Sequence, residues 1–163
     1  MEWGLLYRLQ DELDARIKQE HQLTSQDVVQ DKILALLVEL GELANETRCF
    51  KFWSKKGPSE NAVILEEYVD GLHFILSLGL ELGYTTEHLP LNQKLHKINV
   101  TNVFIHVYER IIAFQQNKTE ENYFLVFSAY IYLGELLGFE EKMIQQAYMK
   151  KNEVNHARQD KGY

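Results

Sequence analysis

Two stretches of the chain read as helices bound for a protein interior, yet each carries two carboxylates three residues apart. Glu39-Leu-Gly-Glu42 lies among Ile33, Leu34, Leu36, Leu37, Val38, Leu40 and Leu43. Glu67-Tyr-Val-Asp70 lies among Val63, Ile64, Leu65, Val69, Leu72, Phe74, Ile75 and Leu76. Residues three apart share a helix face, so each pair aims both acids at one spot. An ionised carboxylate taken out of water carries a heavy desolvation cost unless a cation or strong donors compensate it. A fold that buries both pairs must therefore gather them around a cation. A fold that leaves them on solvated helix edges, where most glutamates lie, is free of that demand. The residues leave both arrangements open.

The rest of the chain favours helices throughout. Pro58 and Pro90 are the only prolines, no alternating strand pattern occurs, and no low-complexity linker interrupts the 163 residues. That length, with 45% hydrophobic residues, suffices for one all-α domain over 1–163 with its own core. The expected helices are about Glu2 to Glu20; one from a hydroxyl cap at Thr24 or Ser25 to about Cys49; Asn61 to Leu82, stopped by Gly83; about Leu91 to Gln116; Thr119 to Leu137; and Glu140 to Ala157. A basic, aromatic loop from Phe50 to Glu60 separates the two acidic helices. Leu78-Gly79-Leu80-Glu81-Leu82-Gly83-Tyr84 recurs 55 positions later as Leu133-Gly134-Glu135-Leu136-Leu137-Gly138-Phe139. The repeat suggests a duplicated helical hairpin. Its second copy has Asn122 and Leu125 where the first has Glu67 and Asp70, although Leu-Gly-x-x-Leu-Gly is also a common helix stop.

A net charge of −7 argues against nucleic acid or an anionic membrane as partner. With neither a membrane-length apolar run nor a signal-like start, the expected location is the cytoplasm. Cys49 is the only cysteine, which excludes an internal disulfide and a multi-cysteine zinc site. Carboxylate ligands suit magnesium, or manganese, and such ions act on phosphate esters by bridging and neutralising their oxygens. Lys51, Lys55, Lys56, Lys150, Lys151 and Arg158 are the cations available for the remaining oxygens. Trp53 either stacks on a base or anchors its loop through Phe50 and Phe52. Asp70-Gly-Leu-His73 with Glu153-Val-Asn-His156 also sketches a di-iron bundle, but the second motif stands in a polar terminal segment.

Taken in order, Val38-Glu39-Leu-Gly-Glu42-Leu-Ala-Asn45-Glu46, Phe50-Lys51-Phe-Trp53-Ser54, Glu66-Glu67-Tyr-Val-Asp70-Gly-Leu-His73-Phe74 and Lys151-Asn152-Glu-Val-Asn155-His-Ala-Arg158-Gln159-Asp-Lys-Gly162-Tyr163 resemble the all-α dimeric dUTPases. These belong to the MazG-like superfamily of nucleoside triphosphate pyrophosphohydrolases. The resemblance implies a helical bundle, usually a homodimer, hydrolysing dUTP, and dUDP, to dUMP with magnesium. It implies that Glu39, Glu42, Glu67 and Asp70 hold the metal and that one glutamate orients the attacking water. It places Gln10 and Trp53 in the uracil pocket and His73 and Phe74 near the deoxyribose. The phosphates fall to Lys51 or Lys55 with Lys151, Asn155, Arg158 and Tyr163. Asp14 stands where such relatives carry Asn and is left outside the expected site. A MazG-like enzyme acting on other or modified nucleotides, and a non-enzymatic helical binding module, are the alternatives.

Overall fold

In the computed structural model, which describes residues 1–23, 27–88 and 99–162, six helices and no strand are found among the described residues. They are α1 (Trp3–Glu20), α2 (Val29–Thr47), α3 (Asn61–Leu82), α4 (Val100–Gln116), α5 (Glu120–Leu136) and α6 (Glu141–Asp160). Helix α3 is the axis of the bundle, packing against α1, α2, α5 and α6. Its near-continuous apolar sequence beyond the exposed first turns follows from that position, because a helix enclosed along most of its length has little solvent face to make polar. Helices α2 and α3 form one antiparallel hairpin and α4 and α5 a second; α2 also touches α4.

The helix ends show which local signals won. Helix α3 stops at Gly83, whose φ of 74° is left-handed. Helix α2 begins at Val29, later than expected, with Val28 at the N-cap position; just before it Asp27 Oδ1 accepts from the Val29 amide at 3.0 Å. Thr24 and Ser25 lie outside the described residues, as does the expected helical stretch from Leu91 to Ile98. Asn99 caps α4 by accepting from Asn102 N at 2.9 Å, and Thr119 caps α5 by accepting from Asn122 N at 3.2 Å. Helix α6 runs three residues beyond the expected end, to Asp160.

The repeated Leu-Gly-x-x-Leu-Gly motif has the same structure in both copies. Tyr84 N donates to Gly79 O at 2.7 Å and Phe139 N donates to Gly134 O at 3.0 Å, while Gly83 and Gly138 both take positive φ. These are paired Schellman stops. The correspondence extends into the core. Tyr68 Oη donates to Tyr130 O at 3.3 Å, and Tyr123 Oη donates to Ile75 O at 3.1 Å. Shifting the first bond by 55 positions turns its donor and acceptor helices into those of the second. Each tyrosine lies over the glycine of the opposite repeat, Tyr68 over Gly134 and Tyr123 over Gly79, where a Cβ would fall 2.5 and 2.2 Å from the phenolic oxygen. The two hairpins thus pack reciprocally, and only the first carries the carboxylates at 39, 67 and 70.

Candidate active site

The α2–α3 hairpin brings together acids separated by 28 to 31 positions. One oxygen each of Glu39, Glu67 and Asp70 lies within 4.8 Å of the others, and all three residues are partly buried. Burial raises the proton affinity of every member. Glu39 is pushed up to about 7, first by desolvation and then by the charges of Asp70, Glu42 and Glu67. Glu67 is raised by burial and by Asp70 and Glu42. Asp70 is raised by burial, with Lys151 pulling the other way. Glu42 itself is exposed and outside the three-residue set, although its charge is felt by two members. From α6, Lys151 Nζ donates to Asp70 Oδ2 at 2.6 Å and to Glu66 Oε1 at 2.8 Å. Three hard oxygen donors converge, mutually repelling, on a space with one ammonium at its edge. This donor set fits a divalent cation of the magnesium type.

A cavity of about 450 Å³ opens beside these acids, between α1, α2, α3 and α6. Glu39 and Asp70 line it, and so do Gln10, Asp14, Lys32, His73, Phe74, Ser77, Asn155 and Arg158. Helical spacing sets its length. Asp70, Phe74 and Ser77 follow one another along one face of α3, which carries the wall about 10 Å away from the acids at 1.5 Å per residue. Gln10 is the hub of the inner wall. Its Nε2 donates to Asp14 Oδ1 at 2.7 Å, and its Oε1 meets His73 Nδ1 at 2.7 Å and accepts from Tyr148 Oη at 2.5 Å. Asp14 Oδ2 accepts from Ser77 Oγ at 2.5 Å and lies 3.5 Å from Lys32 Nζ, which in turn pairs with Glu81 at 2.7 Å. The His73 ring stacks on Tyr148 with centroids 4.0 Å apart. Burial and the charge of Lys151 hold His73 far below its ordinary range, at about 3, so the ring is neutral.

The structure thus brings Gln10, Glu39, Asp70, His73, Phe74, Asn155 and Arg158 to one cavity, with Glu67 and Lys151 beside it. The 50–60 loop lies elsewhere in the same chain. Trp53 is 65% exposed and meets Phe50 and Phe52 edge-on, Phe52 is 93% exposed, and Lys55 is exposed. Lys51 donates to Asn45 Oδ1 and sits 5.6 Å from the Phe50 ring centroid. Tyr163 lies outside the described residues. Glu153 is exposed and His156 packs beside Arg16, so the di-iron pattern is not assembled among the described residues. Sequence reasoning left out Asp14, Lys32, Ser77 and Tyr148. Helical spacing could have pointed to two of them: Asp14 follows Gln10, and Ser77 follows His73, by four residues.

No single described helix is long and apolar enough to cross a membrane. No curated protein matches the chain. A protein-family model described as dUTPase matches residues 2–163, nearly the entire length, and takes in both acidic helices and the α6 segment that closes the cavity. A helical bundle with clustered acids at a nucleoside-sized cavity and this full-length match lead to one conclusion: the chain belongs to the all-α dUTPase family and is a dUTP hydrolase.

Proposed function

We propose that residues 1–163 form one catalytic domain that hydrolyses dUTP, and dUDP, to dUMP with magnesium held by Glu39, Glu67 and Asp70, and with Glu42 completing the set. The observation that carries this reading is the convergence of three carboxylates beside a cavity whose wall also holds the Gln10 amide, the neutral His73 imidazole and the Phe74 ring, with Asn155 and Arg158. Bound at these acids, magnesium would neutralise charge on the phosphate chain and favour an attacking water. Manganese meets the same oxygen donors. A glutamate of the set accepts the proton of that water. Gln10, His73 and Phe74 receive the nucleoside in the cavity. Lys151, Asn155 and Arg158 of α6 face the phosphates, joined by Lys51 or Lys55 and by Tyr163.

Trp53 stacking on uracil requires the 50–60 loop to meet a cavity, and in a lone chain the loop points to solvent. A homodimer supplies one way. Helices α2 and α4, packed together, expose Leu34 at 62% and Val38 at 50%, with Ile105 and Ile112 on α4. Paired exposed stripes of this kind support burial against a second copy.

The test is a titration of the purified protein with magnesium by calorimetry, beside a dUTP assay that separates pyrophosphate from phosphate. Glu67→Gln and Asp70→Asn are expected to lose both magnesium binding and turnover while keeping the helical circular dichroism. Full turnover in either variant overturns the metal assignment.

A further inference from the structure

We propose that Asp14 is a positioning residue that locks the Gln10 amide in one orientation and His73 in one tautomer, so that the cavity presents a fixed N–H donor beside a fixed ring-nitrogen acceptor and selects a 4-keto over a 4-amino pyrimidine. The inference rests on the nucleotide reading of the cavity given above. Asp14 has two carboxylate oxygens and no proton to offer when ionised. Its Oδ1 lies 2.7 Å from the Gln10 amide. Turning that amide over would set two acceptor oxygens against each other at that distance, so Nε2 must face Asp14. The amide oxygen then faces His73 Nδ1 and Tyr148 Oη, at 2.7 and 2.5 Å. An oxygen already facing two polar atoms accepts from both, so the proton of the neutral ring must reside on Nδ1. His73 Nε2 is left with a bare lone pair, and it is the one buried side-chain nitrogen or oxygen without a partner among the described residues.

A buried, unpartnered acceptor on a residue that lines the cavity marks a place for a ligand's N–H or O–H. The second hydrogen on Gln10 Nε2 supplies the complementary donor. A glutamine free to rotate would welcome a carbonyl or an amino group equally, because its two ends are nearly the same shape. Pinned by Asp14, it offers only N–H, which suits the O4 of uracil and opposes the amino group of cytosine. Ser77 and Lys32 hold Asp14 in turn, at 2.5 and 3.5 Å. The lock is therefore anchored on three helices.

The experiment reads the ring nitrogens of His73 by long-range proton–nitrogen correlation NMR, identified by their disappearance in His73→Asn, alongside kcat/KM for dUTP and dCTP with magnesium. In the unaltered protein Nδ1 should carry the proton and Nε2 none. Asp14→Leu should mix the tautomers and cut the dUTP-to-dCTP ratio by about tenfold or more, and Asp14→Asn, which keeps an oxygen for Gln10, should restore both. A proton on Nε2 in the unaltered protein overturns the proposal without any variant, and so does an unchanged tautomer and ratio in Asp14→Leu. Should Asp14→Leu fail to fold, the unaltered protein and Asp14→Asn still decide. Failure of the unaltered protein to distinguish dUTP from dCTP would instead strike the nucleotide reading, while the NMR result reports on the lock by itself.

Discussion

Replacing Lys151 with Met should cost the metal-free protein about 2 kcal/mol, and magnesium should return part of it. The amount follows from the two bridges. Glu66 is 61% exposed, so its bridge counts for little after solvent screening. Asp70 is 18% exposed and Lys151 10%, at 2.6 Å, and this pair is sheltered enough to matter. Removing one member of a fully buried pair costs about 3–5 kcal/mol; a carboxylate that retains some water and can take up a proton loses less, hence about 2. Methionine keeps the length of the stem, so packing changes little. A divalent ion at Asp70 supplies the missing charge, and a ligand that binds only the folded state adds RT ln(1 + [L]/Kd) to stability. Because the ammonium no longer competes for Asp70, the variant should gain more from magnesium than the parent does. Urea unfolding followed by circular dichroism, with chelator and then with saturating magnesium, measures both deficits. Equal deficits in the two conditions would refute the reasoning, and no deficit in chelator would remove Lys151 as the counter-ion of Asp70.

Acid should unfold the protein partly through His73. Its folded affinity is depressed to about 3 against 6.5 unfolded, so stability is intact above pH 6.5 and falls on acidification by up to about 1.4 kcal/mol per pH unit down to about 3; His73→Asn should flatten that slope in urea unfolding measured between these limits, and an unaltered slope counts against a buried neutral ring. Gly79→Ala places a Cβ 2.2 Å from Tyr123 Oη and 2.8 Å from Tyr84 O. Overpacking and the displaced tyrosine bond should outweigh the helix-propensity gain and lower stability by about 2 kcal/mol, read as a fall in Tm. Leu34→Lys with Val38→Glu should shift the sedimentation coefficient from dimer to monomer; if the parent already sediments as a monomer, the α2–α4 face is not a subunit contact. Trp53→Ala should raise KM for dUTP several-fold with little change in kcat, and an unchanged KM makes the indole a loop anchor.

What could be read in the sequence depended on how far apart the interacting residues lie. Both ends of α3 were legible because a glycine stop and the loop before Asn61 act locally. Helix α2 starts at Val29, later than expected, with Asp27 and Val28 outside the helix and the Asp27 carboxylate accepting from the first helical amide. The acids at 39, 67 and 70 were legible as a cluster because a carboxylate in an apolar helix needs an explanation on its own. Asp14 was not, since its meaning lies in Ser77, 63 positions away, and in Lys32 on a third helix. Leu34 and Val38 read as interior residues, yet half or more of each faces outward. Periodicity records that a surface is apolar and says nothing of what lies across from it.

The reciprocal tyrosine-on-glycine seats have a consequence for how the molecule comes apart. Each hairpin plugs a notch in the other, so neither can swing away without stripping a phenol from its counterpart and exposing two backbone carbonyls at once. The half without the clustered carboxylates is thus a brace for the half that holds Glu39, Glu67 and Asp70. Hydrogen exchange should find amides of α3 and α5 opening together, as a single cooperative unit whose release also scatters Glu39, Glu67 and Asp70.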